Sequence, residues 1–374
     1  MNSKIEKHFQ HSLFYKNYNN TDNVVLYFKK IKNEYNSFKN KHKNHDNFDT
    51  NTSKYQSYRK ILDEKIEIGH DIKKYIKHSN DIDKDFMKTI YIGNFKNVKT
   101  LIKNGANIHL NDDHALKYSS ENGYFEIVKF LIENDADIHA ENEYALKRSS
   151  QYGYLDIVKL LIENGANINA GNGCALTVAC INGNIEIVKF LVEKGINIHA
   201  LCDTALCMAS YFGHIDTSKY LVGKGADIHI EDDYPLRHAS RNGHIDIVKY
   251  LISIGANIHA GNDDALRLSS KDGHIKVVKF LVKNGANIHA WNEDALILSS
   301  HNGHIKVVKI LVENGANIHL ENDYILRFAI MLQKIELIKF LLDFDLEYYS
   351  KNKFARKFVK EYKLIDFYDK FGFK

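Results

Sequence analysis

The chain contains one proline in 374 residues, one tryptophan and four cysteines. A single proline beside 21 glycines excludes a Pro/Gly-rich low-complexity chain. Four cysteines in this length do not make a disulfide framework and fit a reducing compartment. No apolar run approaches the roughly 18 residues that mark a membrane-spanning helix. The opening "MNSKIEKHFQHSLFYKNYNN" lacks the apolar core of a secretory signal. A net charge of +4 is too small to imply nucleic acid. What is present in quantity is hydrophobic sequence, 44%, enough for a core. A soluble intracellular protein is expected.

Charge is not spread evenly. Residues 1–80 carry 16 Lys and Arg against 9 Asp and Glu, and residues 346–374 carry 8 against 4; of the totals of 51 and 47, this leaves 27 against 34 for residues 81–345. The ends are basic and the middle is acidic. The middle also repeats. Glycine recurs at Gly93, Gly123, Gly153, Gly183, Gly213, Gly243, Gly273 and Gly303, and again at Gly105, Gly165, Gly195, Gly225, Gly255, Gly285 and Gly315. Asp135 and Asp345 take the second place in two copies. A fixed 30-residue period of this kind marks a repeat architecture, and about nine units fit between residues 82 and 345.

Within one unit, "DALILSSHNG" is predicted to form a short helix. Asp294 caps its start, Leu296, Ser299 and Ser300 face neighbouring helices, and Gly303 ends it in a left-handed conformation. "HIKVVKILVENG" then places Ile305, Val307, Val308, Ile310 and Leu311 on one wide helical stripe, ended by Gly315. "ANIHAWNE" is predicted to be an extended finger leading to the next unit. Two short helices and a finger cannot bury their apolar faces alone, but stacked copies can.

With these letters the chain resembles the ankyrin repeat over residues 82–345. "YPLRHAS" (Tyr234–Ser240) and "TALCMAS" (Thr204–Ser210) keep parts of the family's opening, and Gly-His pairs stand at Gly213-His214, Gly243-His244, Gly273-His274 and Gly303-His304. The resemblance implies an all-α solenoid of about nine helix-turn-helix units with short fingers, capped by helices at both ends. One departure matters: the usual unit has 33 residues, and the missing three fall in the finger, so stubbier fingers and a shallower groove are expected. The heavy use of Asn, Lys, Ile and Tyr further resembles ankyrin arrays of giant DNA viruses of amoebae. That likeness implies a host-cytoplasmic protein.

The family resemblance also implies a non-enzymatic scaffold that binds a protein along its concave face, through finger tips and the two positions before each helix-stop glycine. Those positions hold Tyr152, Ile181, Tyr211, Phe212 and His301 among others. The aromatic and apolar ones are candidate anchors, weighed against partial burial. Trp291 at a finger tip is another. Acidic finger residues, Asp232 and Asp233 among them, form a row that favours a basic partner and disfavours phosphate.

Chemistry finds little support. His109, His139, His199, His229, His259, His289 and His319 recur in "NIH". Helices about 8–10 Å apart cannot share an ion bound at about 2 Å. These histidines are read as bonding to backbone between fingers. Cys174, Cys180, Cys202 and Cys207 lack the spacing of a zinc site and are read as small packed residues. No phosphate-binding glycine loop and no unusual acid pair occur, so no catalytic residue, cofactor or metal is assigned.

The ends read differently from the array. Residues 1–80 form a basic region, helical or partly disordered, with neither an F-box nor a BTB pattern; an adaptor that recruits host ubiquitin-ligase machinery through this region, or a structural virion component, is the alternative function. Residues 346–374 are predicted to be a C-terminal capping helix. A monomer with no membrane span is expected.

Overall fold

The computed structural model describes residues 81–362 and Lys370; the basic region expected in residues 1–80, and the last part of the expected C-terminal helix, lie outside the described residues. Among the described residues all regular structure is helical, in twenty helices. They divide into two compact parts, one of residues 81–119 and 126–137, the other of residues 120–125 and 138 onward.

The first part holds α1 (Asp81–Tyr91), α2 (Phe95–Lys103), and most of α3 (Leu110–Glu121) and α4 (Phe125–Ile132). Phe86, Met87, Ile90 and Val98 are fully buried. Tyr91 packs edge-on against Tyr118 and is hydrogen-bonded to His114.

The second part is a run of helix pairs. Its first helices are α5 (Ala140–Tyr152), α7 (Ala170–Ile181), α9 (Ala200–Phe212), α11 (Ile230–Arg241), α13 (Ala260–Lys271), α15 (Ala290–His301) and α17 (Leu320–Met331). Its second helices are α6 (Leu155–Glu163), α8 (Ile185–Glu193), α10 (Ile215–Gly223), α12 (Ile245–Ser253), α14 (Ile275–Lys283), α16 (Ile305–Glu313) and α18 (Ile335–Phe344). Each first helix packs on the first helix of the next unit and on the second helix of its own.

The predicted stripe is the buried one: Val307, Val308 and Leu311 are at most 0% exposed, with Ile305 and Ile310 packed beside them. Leu296, Ser299 and Ser300 are likewise buried. Each fully buried Val or Leu contributes about 1.5–3 kcal/mol, and it packs both within its own helix pair and against the neighbouring units. The one proline, Pro235, stands in the first regular turn of α11, where its missing N–H has no intrahelical partner to lose.

Two kinds of turn join the helices. At the helix-stop corner the glycine takes positive φ, +87° at Gly213. The imidazole of His244, one unit on, lies over it, and a Cβ on Gly213 would stand 2.6 Å from that ring. The same ring donates from Nε2 to the Tyr211 carbonyl at 2.9 Å. His214 does this to the Ile181 carbonyl, Asn184 reaches the carbonyls of Ser150 and Gln151, and Lys334 reaches those of Ser300 and His301.

The other turn corrects an expectation. The stretch after "NIH" is not an extended finger. Its three residues form a single left-handed turn, with φ between 44° and 75° at every copy from Asn111–Asp113 to Glu321–Asp323. Asp294, expected as the cap, is instead the first residue beyond that turn.

At the C-terminal end, α19 (Leu346–Lys351) and α20 (Lys353–Glu361) close the second part. Tyr349, Ala355, Phe358 and Val359 are buried in the core that contains Leu337, Ile338, Leu341 and Leu342.

Candidate functional site

The left-handed turns sort the finger acids into two groups. The third residue of each turn is buried, and its carboxylate ties the stack together. Asp233 accepts the Nδ1–H of His229 at 3.2 Å and the backbone N–H of Asn257, in the next unit, at 2.9 Å. Glu143 receives His139 and the Asn167 N–H, and Asp263 receives His259 and the Asn287 N–H, in the same way. In the first part Asp113 receives His109 and the Asp137 N–H. Where the turn is Gly171–Asn172–Gly173, the Asn169 side chain accepts the Asn197 N–H instead. At the last turn Asp323 has no following unit, and the Tyr348 hydroxyl and Asn352 amide donate to it, each at 3.0 Å. The "NIH" histidines therefore bond to carboxylates, not to finger backbone as expected.

This burial also corrects the acidic edge. Asp233 is 4% exposed, so it holds the stack and cannot meet a partner. Asp113, Glu143, Asp203, Asp263, Glu293 and Asp323 are buried with it. Asp264 and Asp294 are half-buried and paired with Arg237 and Arg267. The exposed remainder is Asp112, Glu141, Glu231, Asp232 and Glu321, and Asp232 spends one oxygen on the Gly261 N–H. A row this thinned no longer selects a basic partner by itself.

The other candidates fall on the exposed face of the first helices. Phe212 and Tyr152 are each 45% exposed, and Trp291 is 62% exposed. Tyr152 donates from its hydroxyl to Glu121 at 3.3 Å, so its rim is held. Tyr211 is half-buried, edge-on to Phe212 at 4.9 Å and stacked on His238 at 5.8 Å. Ile181 is half-buried. His301 is half-buried over Phe328 at 3.9 Å and hydrogen-bonded to Tyr324. Burial, helped by Lys334, lowers its pKa from the ordinary histidine value. Burial, with Arg237 and Arg241, does the same to His238. Both favour the neutral ring, which suits an apolar contact.

Sequence reasoning missed Leu201, Met331 and Leu332, which are 58%, 68% and 49% exposed. Leu201 holds the same place in its turn as Trp291, and Met331-Leu332 the same place as His301-Asn302; that register was the available signal. The cysteines scatter. Cys180 and Cys207 are buried, Cys174 is half-buried and Cys202 is exposed, so only two are core residues. Burial pushes the Cys207 thiol up to about 12, which leaves it a packed, unreactive group. Among the described residues no three His, Cys, Asp or Glu side chains gather as metal ligands would.

Charge on this face is segregated. α7 carries no charged residue, and the only one on α9, Asp203, is buried. α11 and α13 are charged and cross-linked: Arg237 to Asp264 at 3.0 Å, Arg267 to Asp264 and, at 3.4 Å, to Asp294. An uncharged, partly exposed apolar surface on a rigid stack suits the binding of a protein surface.

The match to a family pattern agrees with this architecture. Residues 86–172, 170–232, 231–292 and 271–353 match the family pattern described as ankyrin repeats (3 copies). Among solved structures, the crystal structure of the human ASB11 ankyrin repeat domain is similar, at 24% identity over 54% of this chain and 98% of that one, with a TM-score of 0.48. No curated protein matches the chain.

Proposed function

The chain belongs to the ankyrin-repeat family, and on that premise we propose that it is a non-enzymatic scaffold that holds a protein partner on the exposed face of its first helices. The observation that carries this reading is the charge-free surface of α7 and α9, where Ile181 and Tyr211 stand half-buried and Phe212 exposed. Constant letters build the stack, whereas these letters differ from copy to copy. The protein acts as a monomer inside the cell, and its Asn- and Lys-rich vocabulary supports a place among viral ankyrin proteins acting on a host. No described helix is long and apolar enough to cross a membrane. Recruitment of degradation machinery would fall to residues 1–80, outside the described residues.

A site-specific photo-crosslinker tests the assignment. Placed at Phe212 it is expected to capture a discrete protein partner in cells, whereas the same group at Lys279 on the exposed side of α14 is not. Equal capture from both sites, or capture only from Lys279, overturns it.

A further inference from the structure

From α4 to α18, six of the eight second helices open with an acid: Glu126, Asp156, Glu186, Asp216, Asp246 and Glu336. An acid there faces the positive end of the helix dipole. It also stands one turn before an outward lysine, as Asp246 before Lys249. α14 and α16 carry Lys276 and Lys306 in that place, and neither has an acid in its first turn. Each exchange sets a cation against the dipole and one turn from another, Lys279 or Lys309, so helix stability does not account for it. The two helices are packed neighbours, and their outer faces combine. Lys276, Lys279, Lys283, Lys306 and Lys309 are all exposed, none is ion-paired to a described residue, and Glu313 is the one acid among them. Flanking α12 and α18 add only balanced charges: Asp246 with Lys249, Glu336 with Lys339, and Asp343 with Lys370. At the corner Asp272 is paired with Arg241. The face therefore keeps an excess of four positive charges. Exposed apolar side chains border it. Ile275 opens α14, Ile335 opens α18, and Phe344 ends α18 against Phe340, over whose ring Lys309 lies at 5.4 Å.

We propose that this face of α14 and α16 docks on an anionic lipid bilayer. The lysines meet headgroup phosphates and carboxylates, and Ile275, Ile335 and Phe344 enter the headgroup layer. The patch runs about 10 Å along each helix and one helix spacing, about 8–10 Å, across. A nucleic-acid backbone laid across the helices would leave it after two units and meet Asp246 or Glu336. Separate headgroups need no longer track. All five cations are lysines, compact point charges that suit mobile headgroups rather than the forked contacts of arginine. The site lies on second helices, apart from the partner face proposed above, and a bilayer gives no protein capture at Lys279.

The test is co-sedimentation of the full chain with vesicles of phosphatidylserine and phosphatidylcholine in equal parts, beside vesicles of phosphatidylcholine alone. Binding is expected to the anionic vesicles only, and to weaken as salt is added. Joint Lys276→Glu and Lys306→Glu restores the acid of the other copies, so melting should not fall. Its vesicle affinity should nevertheless drop about twentyfold or more. Joint Lys96→Glu and Lys103→Glu makes the same charge change on α2, where the following second helix, α4, keeps Glu126. That variant should stay within about threefold of the parent. Equal losses from the two variants, equal binding to both kinds of vesicle, or no binding overturns the proposal. So does a first variant that keeps its vesicle affinity and loses binding to duplex DNA or RNA instead, which would assign the patch to nucleic acid.

Discussion

The left-handed turns and the helix-stop corners both use backbone of positive φ, and they satisfy it in opposite ways. At the corner a side chain from the next unit lies over the backbone, a ring at most copies, as His244 over Gly213, and Asn184 or Lys334 at others. In the turn most residues carry side chains, and the third of them offsets the strain with hydrogen bonds to a histidine and to the next unit's backbone. The corner is glycine in every described copy but the last, where Gln333 takes it at φ 54°. The turn has one buried place, a carboxylate in every copy but Gly173, and one free place, whose side chain stands in solvent. Asp233 and Leu201 occupy those two places in adjacent units: one holds the stack, and the other is available to something else.

The contrast breaks most visibly at the buried place. Asp233→Ala leaves the Asn257 N–H and the His229 ring without the carboxylate that accepts them both, and a loss of about 2–3 kcal/mol is expected. Asp232→Ala, one residue earlier and exposed, should cost less than about 0.5 kcal/mol. Urea unfolding of the two variants compares them directly, and equal losses would show that the turn is not held by its third residue.

The corner comes next. Gly213→Ala must displace the His244 ring and weaken its bond to the Tyr211 carbonyl, in addition to backbone strain, for about 2 kcal/mol. Gly225→Ala has comparable φ but open space at the new Cβ, and should cost about 1 kcal/mol from strain alone. If the two substitutions cost the same, the ring contact contributes nothing.

The free place gives the smallest effect, with opposite sign. Asparagine tolerates left-handed backbone better than tryptophan does, so Trp291→Asn should raise stability by less than about 1 kcal/mol. A fall in melting temperature would mean that the indole packs on the chain.

Much of this was readable beforehand. The period, the helix pairs, the buried stripe Val307, Val308 and Leu311, and the stop at Gly303 all follow from spacing, because a helix repeats its face every 3.6 residues. The candidate site was legible in part. Phe212 and Trp291 stand exposed as read, since they occupy places where other copies are polar. Asp233 was misread because Asp232 and Asp233 are chemically identical, and only a left-handed backbone turns one outward and the other inward. Leu201 went unmarked because an extended finger attaches no cost to leucine.

The sequence by itself determined the number and order of units, their helical content and the places where letters vary, since each of these depends on local periodicity and on glycine's freedom at positive φ. Only the tertiary structure decided which carboxylate is buried and which carbonyls the corner side chains of the next unit reach. Those outcomes join residues 24 to 33 positions apart, as Asp233 with Asn257 and Tyr211 with His244, whereas the histidine–carboxylate pairs are four residues apart and follow from the left-handed turn. A contact of that reach exists only after neighbouring units have stacked, because one unit cannot bury the partners that its side chains require.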